Sequence, residues 1–138
     1  MGSVKKKIII TSATVILSIV CFFLFSGKQP VLLKREGEIK NISVSSLPEG
    51  FNYSFAGEDA EKIAEYLSDI ELISDFSENP EEYLGMVWVV SINYENGDVV
   101  TIYHNANKFI KTDSGRWYKM NYYEANRFEY LLDELIEK

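Results

Sequence analysis

The chain has 138 residues, with 14 lysines and arginines against 21 aspartates and glutamates and a single cysteine, Cys21. One cysteine allows neither an intramolecular disulfide nor a cysteine-based metal site. The length is enough for one small domain beyond an N-terminal segment, and it excludes two such domains.

An uncharged apolar run extends from Ile8 to Phe25 and follows three consecutive lysines, Lys5 to Lys7. As a helix, this run would span about 27 Å, close to the hydrocarbon core of a bilayer at about 30 Å. We therefore predict that residues 1–27 form a cytoplasmic lysine cluster and a single transmembrane anchor in contact with the lipid bilayer. The positive-inside tendency then places the rest of the chain outside the cell membrane.

Two other interpretations of the apolar run stay open. A cleaved signal peptide, which would give a secreted form, requires small residues near its cleavage site, whereas Phe22 to Phe25 are bulky. A lipoprotein would use Cys21, but Val20 precedes it where glycine or alanine is expected. The sequence favours the uncleaved anchor.

Residues 28–37 contain Pro30 and mixed charges, so we predict a linker there and a domain over residues 38–138. From Lys28 onward, 11 basic side chains face 21 acidic ones, a net charge of −10. This charge argues against nucleic acid or anionic lipid as a partner of the domain, because both would repel it. The domain is expected to stand off an anionic membrane surface on its linker.

Hydrophobic periodicity predicts two strands and a helix in the first half of the domain. Apolar residues alternate with polar ones over Ile39 to Val44 and over Phe51 to Phe55, and a turn at Pro48 to Gly50 joins them as a hairpin. From Gly57 to Leu72 the spacing becomes helical, with acidic residues in the first turn.

The most strand-like run, Met86 to Tyr94, precedes Asn96-Gly97, which is typical of a two-residue type I′ hairpin into Val99 to His104. In that register Tyr94 would face Val99. One side of the sheet would then carry Trp88, Val90, Ile92, Tyr94, Val99 and Tyr103, and the other Val87, Val89, Val100 and Ile102 with Ser91, Asn93 and His104.

Phe109 to Thr112 and Arg116 to Met120 complete a four-strand meander, and Asn121 caps a C-terminal amphipathic helix. The predicted fold is α+β: a transmembrane helix, then one domain with an N-terminal hairpin, a meander sheet and two helices, in the order β-β-α-β-β-β-β-α.

Both faces of the predicted sheet are apolar, which leaves two alternatives. Either helices and the hairpin cover both faces, which the strand composition favours, or one face is an exposed aromatic interaction surface around Trp88, Tyr94 and Tyr103.

The order of elements carries a resemblance, together with Ile63-Ala64-Glu65-Tyr66-Leu67 and the closing run Gly115-Arg116-Trp117-Tyr118-Lys119-Met120. From Ile39 to Ile136 the chain resembles small membrane-anchored extracytoplasmic domains of low-GC Gram-positive bacteria. The resemblance implies a compartment and no catalytic residues.

Few residues point to catalysis. His104 is the only histidine and is predicted to be an exposed or hydrogen-bonded turn residue. Ten acids accompany the single Lys62 between Glu58 and Glu82, but they fit no EF-hand spacing, and no nucleotide-binding, zinc-protease or redox motif occurs. We expect a non-catalytic binding, sensing or envelope-assembly module with a membrane or envelope protein partner and no cofactor. The alternative is a small acid-dependent hydrolase or metal-binding protein at the cell surface.

Overall fold

A computed structural model of the protein describes residues 32–34, 37–48, 50–74, 76–82, 85–105 and 108–138. The predicted anchor, residues 1–27, lies outside the described residues. Within the described ranges, no helix is both long enough and apolar enough to cross a bilayer.

Seven strands form one antiparallel sheet, and two helices pack on it. The helices are α1 (Gly57–Asp69) and α2 (Tyr122–Ile136), and a short 3₁₀ turn covers Pro80–Glu82. The strands are β1 (Ile39–Leu47), β2 (Asn52–Phe55), β3 (Leu72–Ile73), β4 (Val87–Tyr94), β5 (Val99–Asn105), β6 (Phe109–Thr112) and β7 (Trp117–Met120). Their order across the sheet is β2-β1-β4-β5-β6-β7-β3. The predicted α+β class, the N-terminal hairpin and the β4–β7 meander are confirmed.

The first helix is shorter than its periodicity predicts. It ends at Asp69, because Ile70 adopts an extended backbone with ψ of 132°. Leu72 and Ile73 then pair with Met120 and Lys119, which adds an edge strand that the sequence analysis did not predict.

The β4–β5 hairpin has a different turn from the predicted one. Asn93 pairs with Val99 and Ile92 with Val100, so three residues, Glu95 to Gly97, form the loop. Gly97 has φ of +92°, and its N–H donates to the carbonyl of Tyr94 at 3.0 Å. This is the pattern of a type I turn followed by a left-handed residue, and the predicted two-residue turn is wrong.

A one-residue shift of register moves every side chain of a strand to the opposite face. On β5, Val100, Ile102 and His104 therefore share a face with Ile92, Val90 and Trp88, and the predicted positions of Val99 and Tyr103 are wrong. We call this side, which α1 and α2 cover, the covered face. The other side, the open face, comprises Asn41, Ser43, Ser45, Leu47, Asn52, Ser54, Ile73, Val87, Val89, Ser91, Asn93, Val99, Thr101, Tyr103, Asn105, Phe109, Lys111, Trp117 and Lys119.

The core lies between the covered face and the two helices. Val44, Val90 and Ile102 line up across β1, β4 and β5 with no solvent exposure. Ile63 of α1 and Phe128 of α2 are buried equally completely in the same core. Burial of one such side chain contributes about 1.5–3 kcal/mol, so this face holds the helices to the sheet.

Two residues of the predicted linker belong to this core. Leu32 and Leu33 are 7% and 3% exposed and join the main hydrophobic cluster. They lie in a cavity wall with Tyr94 and Val100, near the β4–β5 turn. The domain therefore begins no later than Leu32, six residues before the predicted boundary.

The C-terminal helix begins as predicted. The side chain of Asn121 accepts a hydrogen bond from the backbone N–H of Tyr123 at 3.2 Å. This bond satisfies one of the free donors of the first turn and fixes where α2 leaves β7.

Candidate functional site

The structure does not bring the three predicted surface residues together. Trp88 and Tyr94 lie on the covered face, where they are 9% and 4% exposed. Tyr103 lies on the open face and is 36% exposed. Of the predicted aromatic surface, only Tyr103 is on the side that the helices leave uncovered.

The open face is distinguished by its charge. None of its residues, as defined above, is an aspartate or glutamate, although the part of the chain from Lys28 onward has a net charge of −10. Its two charged positions are Lys111 and Lys119. The acids of α1 and α2 lie on the other side of the molecule, so charge is segregated between the two sides of the sheet.

Hydroxyl groups form a row across four strands of the open face. Ser54, Ser43, Ser91 and Thr101 occupy paired positions on β2, β1, β4 and β5. Ser54 is exposed and the other three are half-buried. Each hydroxyl can donate one hydrogen bond and accept two, so the row is able to bind polar groups in either sense.

An amide pair lies beside this hydroxyl row, on the side of the β4–β5 turn. The side-chain amide of Asn93 donates to the side-chain oxygen of Asn41 at 2.7 Å. The bond links β1 to β4 and fixes the orientation of both amides.

Aromatic side chains form a second row on the other side of the hydroxyl row. Tyr103 on β5 pairs with Lys111 on β6, which pairs with Trp117 on β7. The Lys111 Nζ lies 5.2 Å from the centre of the Trp117 ring, within the range of a cation–π contact. No ion pair involves Lys111 among the described residues. The row therefore combines two partly exposed rings with one cation that lacks a carboxylate partner.

The far end of the open face is closed by the connection between β3 and β4. Phe76 packs on Phe109 with 5.4 Å between ring centres. Glu78 forms ion pairs with Lys108 and Lys119, each at 2.8 Å. Hydrogen bonds from Lys108 and then Lys119 lower the pKa of the Glu78 carboxyl. This connection covers Phe109 and neutralises Lys119, whereas Lys111 forms no ion pair with any residue that the structure describes.

His104 is not the turn residue that the sequence predicted. It is 1% exposed and stacks on Phe128 with 4.7 Å between ring centres. Its Nε2 lies 3.5 Å from the hydroxyl of Tyr66, which donates to the carbonyl of Glu124 at 3.2 Å. The prediction failed because the shifted register turned His104 into the core.

Burial determines the protonation of this cluster. It lowers the pKa of His104 to about 4, so the ring is neutral at physiological pH. It also raises the pKa of the Tyr66 phenol, and the charge of Glu124 adds to the increase. A neutral histidine enclosed by Phe128 and the two helices contributes to packing and has no route to a substrate in solution.

Acidic residues do not form a metal centre in the described part of the chain. No group of three or more histidine, cysteine, aspartate or glutamate side chains is arranged to hold an ion there. The carboxylates of Glu58, Glu61, Glu65 and Asp69 line an open groove along α1, beside Leu33 and Lys34. They are spread along the helix surface, where water solvates them.

No protein-family model, curated protein or solved structure matches the chain.

The sequence analysis missed the site residues Lys111 and Trp117, as well as the hydroxyl row. The sequence contained a signal for this row. Ser43, Ser91 and Thr101 each lie between two apolar residues of a strand, and this alternation indicates a sheet face in contact with water. The wrong register placed Thr101 opposite Ile92 and concealed the row.

Proposed function

We propose that the chain is a single-pass membrane-anchored protein whose extracytoplasmic domain is a non-catalytic binding module that works in sensing or envelope assembly. The open face is its binding surface. One observation carries the proposal: none of the strand residues of this face is an aspartate or glutamate in an acidic domain, and the exposed ring of Tyr103 lies beside Lys111, which forms no ion pair with the residues that the structure describes.

Packing supports this proposal, because the fold does not need an aromatic row on the open face. Both helices bury their apolar residues on the covered face, where Phe128 contacts Tyr66, Trp88 and His104. A partly exposed tyrosine and tryptophan on the other side add little to that core. Tyrosine and tryptophan are enriched at binding surfaces, where an amphipathic ring can be apolar on its face and polar at its edge.

Support for the membrane anchor comes from the sequence alone. The uncharged run from Ile8 to Phe25 has the length of a spanning helix, and the preceding lysines orient it. In this arrangement the domain meets partners of the envelope, in keeping with the resemblance to Gram-positive extracytoplasmic domains.

Site-specific photo-crosslinking in intact membranes tests the binding surface. A photoreactive residue replaces Thr101 on the open face or, as the matched control, Asp133 on the exposed side of α2. We expect saturable adducts from Thr101 that Asp133 does not give. Equal labelling from both positions, or none from Thr101, would contradict the proposal.

Thermal unfolding with Ca²⁺, Zn²⁺ and a chelator tests the metal-dependent alternative. A cation that binds only the folded state at 100 times its dissociation constant stabilises by about 2.7 kcal/mol. We expect no such increase for the binding module. A chelator-reversible stabilisation of that size would favour the alternative function.

A further inference from the structure

We infer that the open face binds a linear polyhydroxylated chain that carries anionic groups, an acidic glycan in chemical terms. The inference rests on the proposed binding function and names its ligand class. Three properties of the face carry it: the direction of its rows, the chemistry of its side chains and its local charge.

The two rows define a track across the strands. Neighbouring strands are about 4.8 Å apart, so the hydroxyl row from Ser54 to Thr101 is about 14 Å long. The aromatic row from Tyr103 to Trp117 lies two residues further along the strands, about 7 Å away. The rows meet on β5, where Thr101 and Tyr103 lie side by side, so a linear ligand lying across the strands passes from the hydroxyls of β2, β1 and β4 to the rings of β5 and β7.

The side chains of the track match the groups of a sugar. A sugar ring presents C–H groups on its faces and hydroxyls at its rim. The aromatic rings of Tyr103 and Trp117 can stack on the C–H faces of a sugar ring, and the phenol hydroxyl of Tyr103 adds a polar group. Ser91 and Thr101 offer donors and acceptors for the rim. An apolar peptide would instead require deep pockets for its side chains, and the open face is a pleated sheet surface on which exposed Leu47 and Val99 flank the hydroxyls and amides without forming a pocket.

The positive charge of Lys111 favours an anionic sugar chain over a neutral one. Lys111 has no ion-pair partner among the described residues, and Glu78, an acidic side chain of the connection, is held by Lys108 and Lys119. Interactions beyond about 10 Å are strongly screened at physiological salt, so the acids on the helical side weaken this local field little. An anionic group beside Lys111 gains an attraction that a neutral sugar lacks.

Titration of the full chain in zwitterionic lipid nanodiscs tests the inference. The probes are hexagalacturonate, its uncharged methyl ester, and hexaglutamate as an anionic chain without hydroxyls. In Trp88→Phe, the remaining tryptophan, Trp117, reports binding by its fluorescence. Because Trp88 is a core residue, the titration is repeated on the unmodified chain, with Trp117→Phe identifying the signal that comes from the track.

We expect hexagalacturonate to change the Trp117 emission saturably, the ester to bind more weakly, and hexaglutamate not to bind. Tyr103→Ala should weaken binding about tenfold, the free-energy equivalent of about 1.4 kcal/mol. Lys111→Gln should remove the difference between the acid and its ester. Tyr130→Ala and Lys40→Gln, exposed positions outside the track, are the matched controls and should leave binding unchanged.

Absence of saturable binding, equal binding of hexaglutamate, or unchanged binding by Tyr103→Ala would overturn the inference. Rejection of the glycan as the ligand can be distinguished from rejection of the open face as a binding surface. Adducts specific to Thr101 without hexagalacturonate binding would keep the open face as a protein-binding surface and reject the glycan. Absence of both signals would reject the two proposals together.

Discussion

The two faces of the sheet share the same strands and differ in almost every other respect. On β4, Val90 and Ile92 have no exposure, whereas the alternate residues Val89 and Ser91 are half-exposed. The covered face holds both helices, and the open face carries hydroxyls, amides and two partly exposed rings. One set of backbone hydrogen bonds therefore supports a packing surface and a separate surface that the helices leave uncovered.

This separation predicts that stability and binding respond to different substitutions. A change on the covered face alters the free energy of unfolding through packing, and a change on the open face alters contacts with a ligand.

The largest expected effect comes from Phe128→Ala. This ring is fully buried and contacts the rings of Tyr66, Trp88 and His104. Its truncation should lower the free energy of unfolding by about 3–5 kcal/mol, because it leaves a cavity in the core. Urea denaturation measures the loss. Tyr103→Ala on the open face should cost only about 1 kcal/mol through lost cross-strand contacts, and similar losses for both variants would refute the division.

Low pH should destabilise the folded protein, because His104 on the covered face is buried in its neutral form. Its pKa is about 4 in the folded protein against 6.5 unfolded, so the unfolded state takes up a proton first as the pH falls. The associated stability is present above pH 6.5 and is lost as the pH falls toward 4, a total of about 3 kcal/mol. We expect His104→Phe to remove this part of the pH dependence in urea titrations between pH 7 and 4. Parallel pH curves for the variant and the original protein would contradict it.

Leu33→Ala tests whether the core extends into the predicted linker. The side chain is 3% exposed, and its truncation should lower the free energy of unfolding by about 2–3 kcal/mol. Lys34→Ala, at the exposed neighbouring position, is the matched control and should have little effect. Equal midpoints for the two variants in urea would restore the predicted boundary near residue 38.

The smallest effect concerns the turn that fixes which side chains reach each face. Gly97 has φ of +92°, so Gly97→Ala should cost about 1 kcal/mol through backbone strain. Gly37→Ala is the comparison, because its added methyl group would meet Tyr94 at an ordinary 3.6 Å and its φ is not positive. A thermal midpoint lowered equally by both substitutions would indicate that the left-handed turn is not the cause.

Local patterns predicted the elements of the fold well. The alternation in Ile39 to Val44, the helical spacing after Gly57 and the cap at Asn121 are short-range signals, and the structure contains each element. The length of the hairpin loop was not predictable in the same way. The sequence of β5 does not show which side of the strand faces the core. Val99 and Tyr103 on one side are as apolar as Val100 and Ile102 on the other.

Tertiary contacts decided the remaining features. Packing against Ile92 and Val90 selects Val100 and Ile102 for the covered face, and this selection buries His104. Side-chain bonds within the turn support the longer loop: Asn96 donates to Asp98 at 2.8 Å and accepts from its backbone N–H at 2.9 Å. The packing against Ile92 and Val90 exists only when the strands are assembled, so periodicity alone could not locate the candidate site.

Leu32 and Leu33 give the molecule a mechanical property if the proposed anchor is embedded. Only six residues then separate Phe25 from Leu32, a reach of about 20 Å at full extension. Leu33 lines cavities shared with α1 on one side and with Tyr94 and Val100 on the other. A force between a bound ligand and the bilayer would therefore act on the hydrophobic core through Leu32 and Leu33. Tension on the domain would then reach the anchor through a segment no longer than about 20 Å.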